Sequence, residues 1–173
     1  MPTLAAIIYH EDGQHELRIL WQAIHQLQQQ GVHVAGLINP LDPQGNKMRH
    51  IVCSLTDKRE YPIMQPSGAS SNTCALNPRS LADASIIIRE ALNNPPDILV
   101  FNKFGSAETA GQGLIQEYAA AALAEIPVIT LIRATHLAAW QAFTDSMGTI
   151  LPCSVEAIIQ WANTHAAQRI SQH

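Results

Sequence analysis

Four short apolar runs constrain this chain more than any other feature. They are LAAIIY at residues 4–9, VHVAGLI at 32–38, ILVF within 97–104 and PVITLI at 127–132. Each is too short for a buried helix and lacks the alternation of a strand with one wet face. Each therefore reads as a strand buried on both sides, which is what a parallel sheet demands. Helical patterns separate them. Leu17, Leu20, Trp21, Ile24 and Leu27 recur at helical spacing before Gly31. Leu81, Ala84, Ile88 and Ala91 do the same after Asn77 and Pro78, an N-cap followed by a proline that suits a first helical turn. An Ala-rich segment predicts one long helix over 105–125, and residues 136–147, with Trp140 and Phe143, predict another. A short strand at 149–151 precedes a last helix, capped by Ser154 and running to Ala167.

Strands alternating with helices imply right-handed βαβ units. The expected fold is a three-layer α/β domain over residues 1–173, a mostly parallel sheet with helices on both faces. Two alternating stretches, 48–55 and 59–64, add a hairpin around Asp57 and Lys58. The segment 66–74 (PSGASSNTC) is small and polar and suits a mobile loop or ligand lid. A length of 173 residues fits one domain and leaves little room for two.

Composition narrows the partners. Net charge is −4, and no basic run occurs, which argues against nucleic acid as a ligand. No apolar stretch approaches the ~20 residues of a membrane span, and no charged leader precedes the first strand. Cys53, Cys74 and Cys153 are widely spaced and odd in number. That is neither a disulfide framework nor a zinc pattern, and it points to reduced thiols in the cytoplasm.

In open parallel sheets, ligands bind beyond the carboxyl ends of the strands. Three segments lie there: residues 10–16, 102–108 and 133–136. The first stands where a phosphate-binding P-loop would be. It reads HEDGQHE, with one glycine and neither the Lys nor the Ser/Thr that such a loop needs. Either it is a turn capped by Asp12, or the N–H groups of Asp12, Gly13, Gln14 and His15 contact an anion. Glu11 and Asp12 weigh against the second reading unless they face solvent.

The second segment follows four apolar residues, where a magnesium-binding carboxylate is expected, but Asn102 stands there. Both halves of a magnesium–nucleotide site are thus missing together. Lys103, beside Gly105 and Ser106, suits an anion site without metal. Glu108 has three readings: complement to a helix dipole, partner of Lys103, or general base of a divergent hydrolase. His10, His15 and His136 could form a three-histidine group, and scattered surface histidines are the alternative. Trp21, Trp140 and Trp161 read as packing.

These residues resemble those of bacterial domain-of-unknown-function family 2478, whose members are often encoded beside molybdate transport genes. The resemblance rests on VAGL at 34–37, CALNP at 74–78, NKFG at 102–105 with Glu108, Gly111 and Gly113, IPVIT at 126–130, and Trp140 with Phe143. It departs at Lys103, where the family carries Arg, and at Asn77, where it carries Asp. The element order also resembles small P-loop nucleoside-triphosphatases of the THEP type. Together these imply a degenerate P-loop NTPase scaffold with no catalytic residue and no required cofactor. The ligand so implied is an oxyanion such as molybdate or tungstate, held by Asp12, Gly13, Gln14, His15, Asn102, Lys103, Gly105, Ser106 and Glu108. Two alternatives stand beside it. One is a nucleotide-binding protein or triphosphatase with Glu108 as base and magnesium on Glu11, Asp12 or Glu108. The other is an interaction module that forms a homodimer through the helix around 118–123.

Overall fold

A computed structural model describes residues 3–66 and 74–171. The four apolar runs become β1 (Leu4–Tyr9), β2 (Val34–Ile38), β7 (Ile98–Phe104) and β8 (Val128–Arg133). Between β2 and β7 lie β3 (Ile51–Ser54), β4 (Glu60–Pro62), β5 (Met64–Pro66) and β6 (Cys74–Leu76), and β9 (Thr149–Ile150) comes last. Seven strands form one sheet in the order β4-β3-β2-β7-β8-β1-β9, and β5 with β6 forms a separate two-stranded ladder. The pairs β2–β7, β7–β8, β8–β1 and β1–β9 are parallel, whereas β3 and β4 add antiparallel at one edge. The expected hairpin is that edge pair.

Alternate residues of each strand feed two cores. Ile98 and Val100 of β7, with Ala5 and Ile7 of β1, join the core under α1 (Gln14–Gln29) and α6 (Val155–Ser171). Leu99 and Phe101, with Leu4 and Ala6, join the core under α2 (Pro78–Asn93), α4 (Ile115–Leu123) and α5 (Leu137–Phe143). Helices therefore cover both faces. From α1 alone, Leu17, Leu20, Ile24 and Leu27 are almost fully buried, each worth about 1.5–3 kcal/mol relative to exposure. In β2, Gly36 sits so close to β7 that a Cβ would lie 2.0 Å from the Val100 carbonyl oxygen. Only glycine lets these two central strands approach.

The caps follow the sequence. Asn77 Oδ1 accepts from the N–H groups of Arg79 and Ser80 at the start of α2, and Ser154 Oγ accepts from Ala157 N–H at the start of α6. α6 runs on past Ala167. The segment expected at 136–147 begins as a 3-10 turn (Ala134–His136) and ends as α5 at Phe143.

One expectation is corrected. Residues 105–125 do not form one long helix. They split into a single turn, α3 (Ser106–Thr109), and α4, with Gly111 at φ +79° and Gly113 at φ +62° between them. Two left-handed residues within three positions cannot continue a right-handed helix. Of the lid segment expected at 66–74, only the flanking Pro66 and Cys74 fall among the described residues, where they pair as the end of the β5–β6 ladder.

Candidate functional site

The cleft at the carboxyl end of the sheet is assembled from five separate pieces of chain, one of them Ile63 and Met64 at the start of β5. Tyr9 ends β1, Arg133 ends β8, and Asn102 and Lys103 lie near the end of β7. Lys47 and Arg49 come from the connection between β2 and β3. With Asp12, Gln14 and Asn39 these residues line a cleft of about 350 Å³.

An irregularity in the sheet aims two of them. From Phe101 to Phe104 the strand β7 advances three residues while its partner β8 advances two, Thr130 to Ile132. This is a bulge, a device that re-aims side chains beside functional sites. In a regular strand, neighbours point to opposite faces. Here consecutive Asn102 and Lys103 line the same cleft. Asn102 is 6 % exposed, and among the described residues its amide forms no hydrogen bond.

The connection carrying Lys47 and Arg49 is held from both sides. Asp42 Oδ1 accepts from the N–H groups of Gln44 and Asn46 and tightens its turn. Arg18 of α1 donates to the Gly45 carbonyl at 2.6 Å, and the Asn39 amide donates to the Ile51 carbonyl at 2.8 Å. Lys47 then docks on the loop after β1. Its backbone N–H donates to Gln14 Oε1 and its Nζ to the Asp12 carbonyl, both at 3.2 Å. Two cations stand over the Tyr9 ring, Lys47 Nζ 5.4 Å and the Arg133 guanidinium 5.5 Å from its centroid.

Lys47, Arg49, Lys103 and Arg133 thus share one cleft with a single carboxylate, Asp12, in its lining. Among the described residues one ion pair forms, Arg89 with Glu117 at 3.5 Å, and it lies elsewhere. The crowding is visible in Lys47, whose pKa is held below the lysine range. Burial is the main cause, and Lys103, Arg133 and Arg49 add repulsion that Asp12 partly offsets. Negative charge placed among these cations would relieve that repulsion.

The residues expected from sequence fall into three groups. Asp12, Gln14, Asn102 and Lys103 line the cleft. Asp12 makes the capped turn, since its Oδ1 accepts from Gln14 N–H at 3.0 Å, so that N–H is occupied; Gly13 precedes α1. His15 is exposed and outside the lining. The third group, Gly105, Ser106 and Glu108, belongs to the turn after β7.

There Glu108 is 7 % exposed and both its carboxylate oxygens are engaged. Oε1 accepts from Gly105 N–H at 2.8 Å and Oε2 from Leu114 N–H at 2.9 Å. It therefore clamps the two ends of the broken helix. A Cβ at Gly113 would lie 2.0 Å from Oε2, so the glycine makes room for that clamp. The Gly105 N–H is not free for a ligand, and among the described residues Glu108 forms no ion pair with Lys103.

Sequence reasoning reached Arg133 only as part of a strand-end segment and missed Lys47 and Arg49. Their signal is weak: two cations in a turn-rich connection, whose convergence on β7 and β8 depends on the chain path. No group of three or more His, Cys, Asp or Glu placed to hold a metal occurs among the described residues, so the three-histidine arrangement does not assemble there. No helix among them is long and apolar enough to cross a membrane. Burial pushes the Cys53 thiol up to about 11, so it is not a nucleophile near neutral pH.

Known proteins show the same frame. The family described as "Protein of unknown function (DUF2478)" matches residues 4–161. A molybdenum import ATP-binding protein, ModC 2 of Bradyrhizobium diazoefficiens, is 34 % identical over 160 residues. That match takes in 91 % of this chain and 18 % of the relative, so the chain corresponds to a small part of it. Two solved structures share the fold. A human cancer-related nucleoside triphosphatase aligns over the whole of both chains with a TM-score of 0.62 at 15 % identity. THEP1 from Aquifex aeolicus gives 0.55 at 10 % identity over 88 % of this chain and 90 % of its own. At such identities they establish the P-loop NTPase-like fold.

Proposed function

The chain belongs to the DUF2478 family, and from that premise we propose that it binds an oxyanion group without magnesium and without catalysis, as an accessory of molybdenum homeostasis. The observation that carries this reading is the cleft of four cations with no ion-pair partner among the described residues. Arg49 and Arg133 offer planar forks and Lys47 and Lys103 compact charges, and Asn102 adds an amide donor. Molybdate and tungstate are tetrahedral dianions, opposite in charge to this cleft. The relative named for molybdenum import supports that choice of anion.

The lost residues support a non-catalytic role. Asn102 stands at the expected carboxylate position, and Glu108, the alternative base, is engaged by two backbone N–H groups. A second reading is nucleotide binding in the same cleft. Its volume reaches the lower range of small-molecule sites, and the relative with 34 % identity is named as ATP-binding.

A thermal-shift panel tests both readings. Molybdate, tungstate, sulfate, phosphate and ATP are compared with and without magnesium. A ligand at ~100 times its Kd adds about 2.7 kcal/mol, worth several degrees for a domain of this size. A shift with molybdate or tungstate in the absence of magnesium, lost in Lys103→Ala, is expected. A shift only with magnesium and ATP would favour the nucleotide reading, and no shift with any of them would defeat both.

A further inference from the structure

The cation cleft does not end at its cations. A second pocket of about 190 Å³ adjoins it, and the two share Ile63, Met64, Asn102 and Lys103 in their walls. The second pocket has a different character. Leu81 of α2, Ala107 of α3 and Leu114 line it, and its polar rim is Ser106 and Glu108. Lys103 therefore stands at a junction, with charge on one side and a half-apolar hollow on the other.

Size points the same way. One water takes about 30 Å³ of liquid, so a four-oxygen anion fills only a fraction of the first cleft and none of the second. Asn102 adds an independent sign. It lines both lobes, it is 6 % exposed, and its amide forms no hydrogen bond among the described residues. Its amide keeps access to the cleft, since the fully buried side-chain polar atoms without a partner among the described residues are the Trp140 and Trp161 Nε1 groups, so its donor and acceptor are open to a ligand. At the junction, it can donate to an anionic oxygen on one side and accept from an N–H or O–H on the other.

We infer that the same cations also hold the phosphate end of an organic phosphate ester, whose compact, partly apolar body occupies the second lobe between Leu81 and Ala107. The inference rests on the cation cleft binding an oxyanion group, and adds a class of ligand that carries such a group on an organic body. The body enters beside the bulged β7 and the start of α2, and the ester linkage lies at Lys103 and Asn102. Glu108 stays clamped to Gly105 and Leu114, and its oxygens present a weak further acceptor to the body.

Calorimetric titration of the full chain without magnesium tests this. The probes are inorganic phosphate, phenyl phosphate and adenosine monophosphate. Phenyl phosphate or the nucleotide should bind at least tenfold tighter than inorganic phosphate. Leu81→Trp, which fills the second lobe, should remove that gain and leave inorganic phosphate binding within twofold of the parent. Ala107→Phe fills the lobe from the facing wall and serves if Leu81→Trp does not fold. The inference is overturned if the organic phosphates gain nothing over inorganic phosphate, or if the gain survives the filling variants. If inorganic phosphate binds normally to Lys103→Ala, the cleft itself is not the anion site, and both the inference and the reading beneath it fall.

Discussion

The loop after β1 and the turn after β7 occupy equivalent strand ends, with only β8 between their strands, yet they are held by opposite means. The first is outward. His10, Glu11 and Asp12 are exposed, and one Asx turn with two bonds from Lys47 secures the loop. The second is inward. Glu108 is buried and ties Gly105 to Leu114 across two left-handed glycines, and the Tyr118 hydroxyl bonds the Lys103 carbonyl at 2.8 Å. A P-loop enzyme needs its first loop to be the rigid cradle. Here the rigidity has moved to the second, beside Lys103, and the first has become a dock for a cationic strap. A site built this way gathers its charge from convergent side chains.

The largest expected effect breaks the stiffer side. Glu108→Ala leaves two buried N–H groups unpaired, at about 1–3 kcal/mol each, so urea denaturation should show a loss of several kcal/mol. Asp12→Ala, on the looser side, should cost about 1 kcal/mol. Glu108→Gln sharpens the contrast. If it folds with parental stability and selectively abolishes a turnover, Glu108 is a base and the clamp is secondary.

Next in size is Gly113→Ala. It places a side chain at φ +62° and against the Glu108 carboxylate, for a cost of at least about 1–3 kcal/mol. Gly111→Ala bears the backbone cost alone, because a Cβ there meets no atom within 4 Å. The difference between the two midpoints measures the clamp.

The smallest effect concerns pH and the strap. Burial, then the neighbouring cations, hold Lys47 below the lysine range. On its own a lowered lysine pKa is a destabilising contribution, present while the group is protonated and relieved as pH rises from the folded value to the unfolded one. Anion binding runs the other way, because the anion favours the protonated amine. Molybdate affinity should therefore fall on the alkaline side at a lower pH than an ordinary lysine would dictate, by a few-fold. Lys47→Met should bind more weakly and lose that pH dependence. A flat profile in the parent protein would remove Lys47 from the site.

Much of the fold was legible in the residues because its causes are local. Runs such as LAAIIY and ILVF permit only doubly buried strands, and Asn77-Pro78 and Ser154 mark helix starts by their own side-chain chemistry. The break at Gly111 and Gly113 was less legible. An Ala-rich stretch favours helix, and only a carboxylate reaching six residues onward to Leu114 N–H shows why the chain turns there. Half of the cleft was legible too, since Asn102 and Lys103 sit where a parallel sheet places ligands.

The sequence by itself determined the α/β layering, the missing phosphate loop and the missing carboxylate at position 102. Tertiary structure decided the rest. Lys47, Arg49, Lys103 and Arg133 lie in three separate segments, and no spacing rule joins them. They meet because β7 pairs with both β2 and β8, which brings the connection after β2 over the ends of its neighbours, and because one extra residue in β7 turns Asn102 and Lys103 toward the same cleft. Strand pairing and register are non-local choices, so the charge of this site becomes visible only once the sheet is closed.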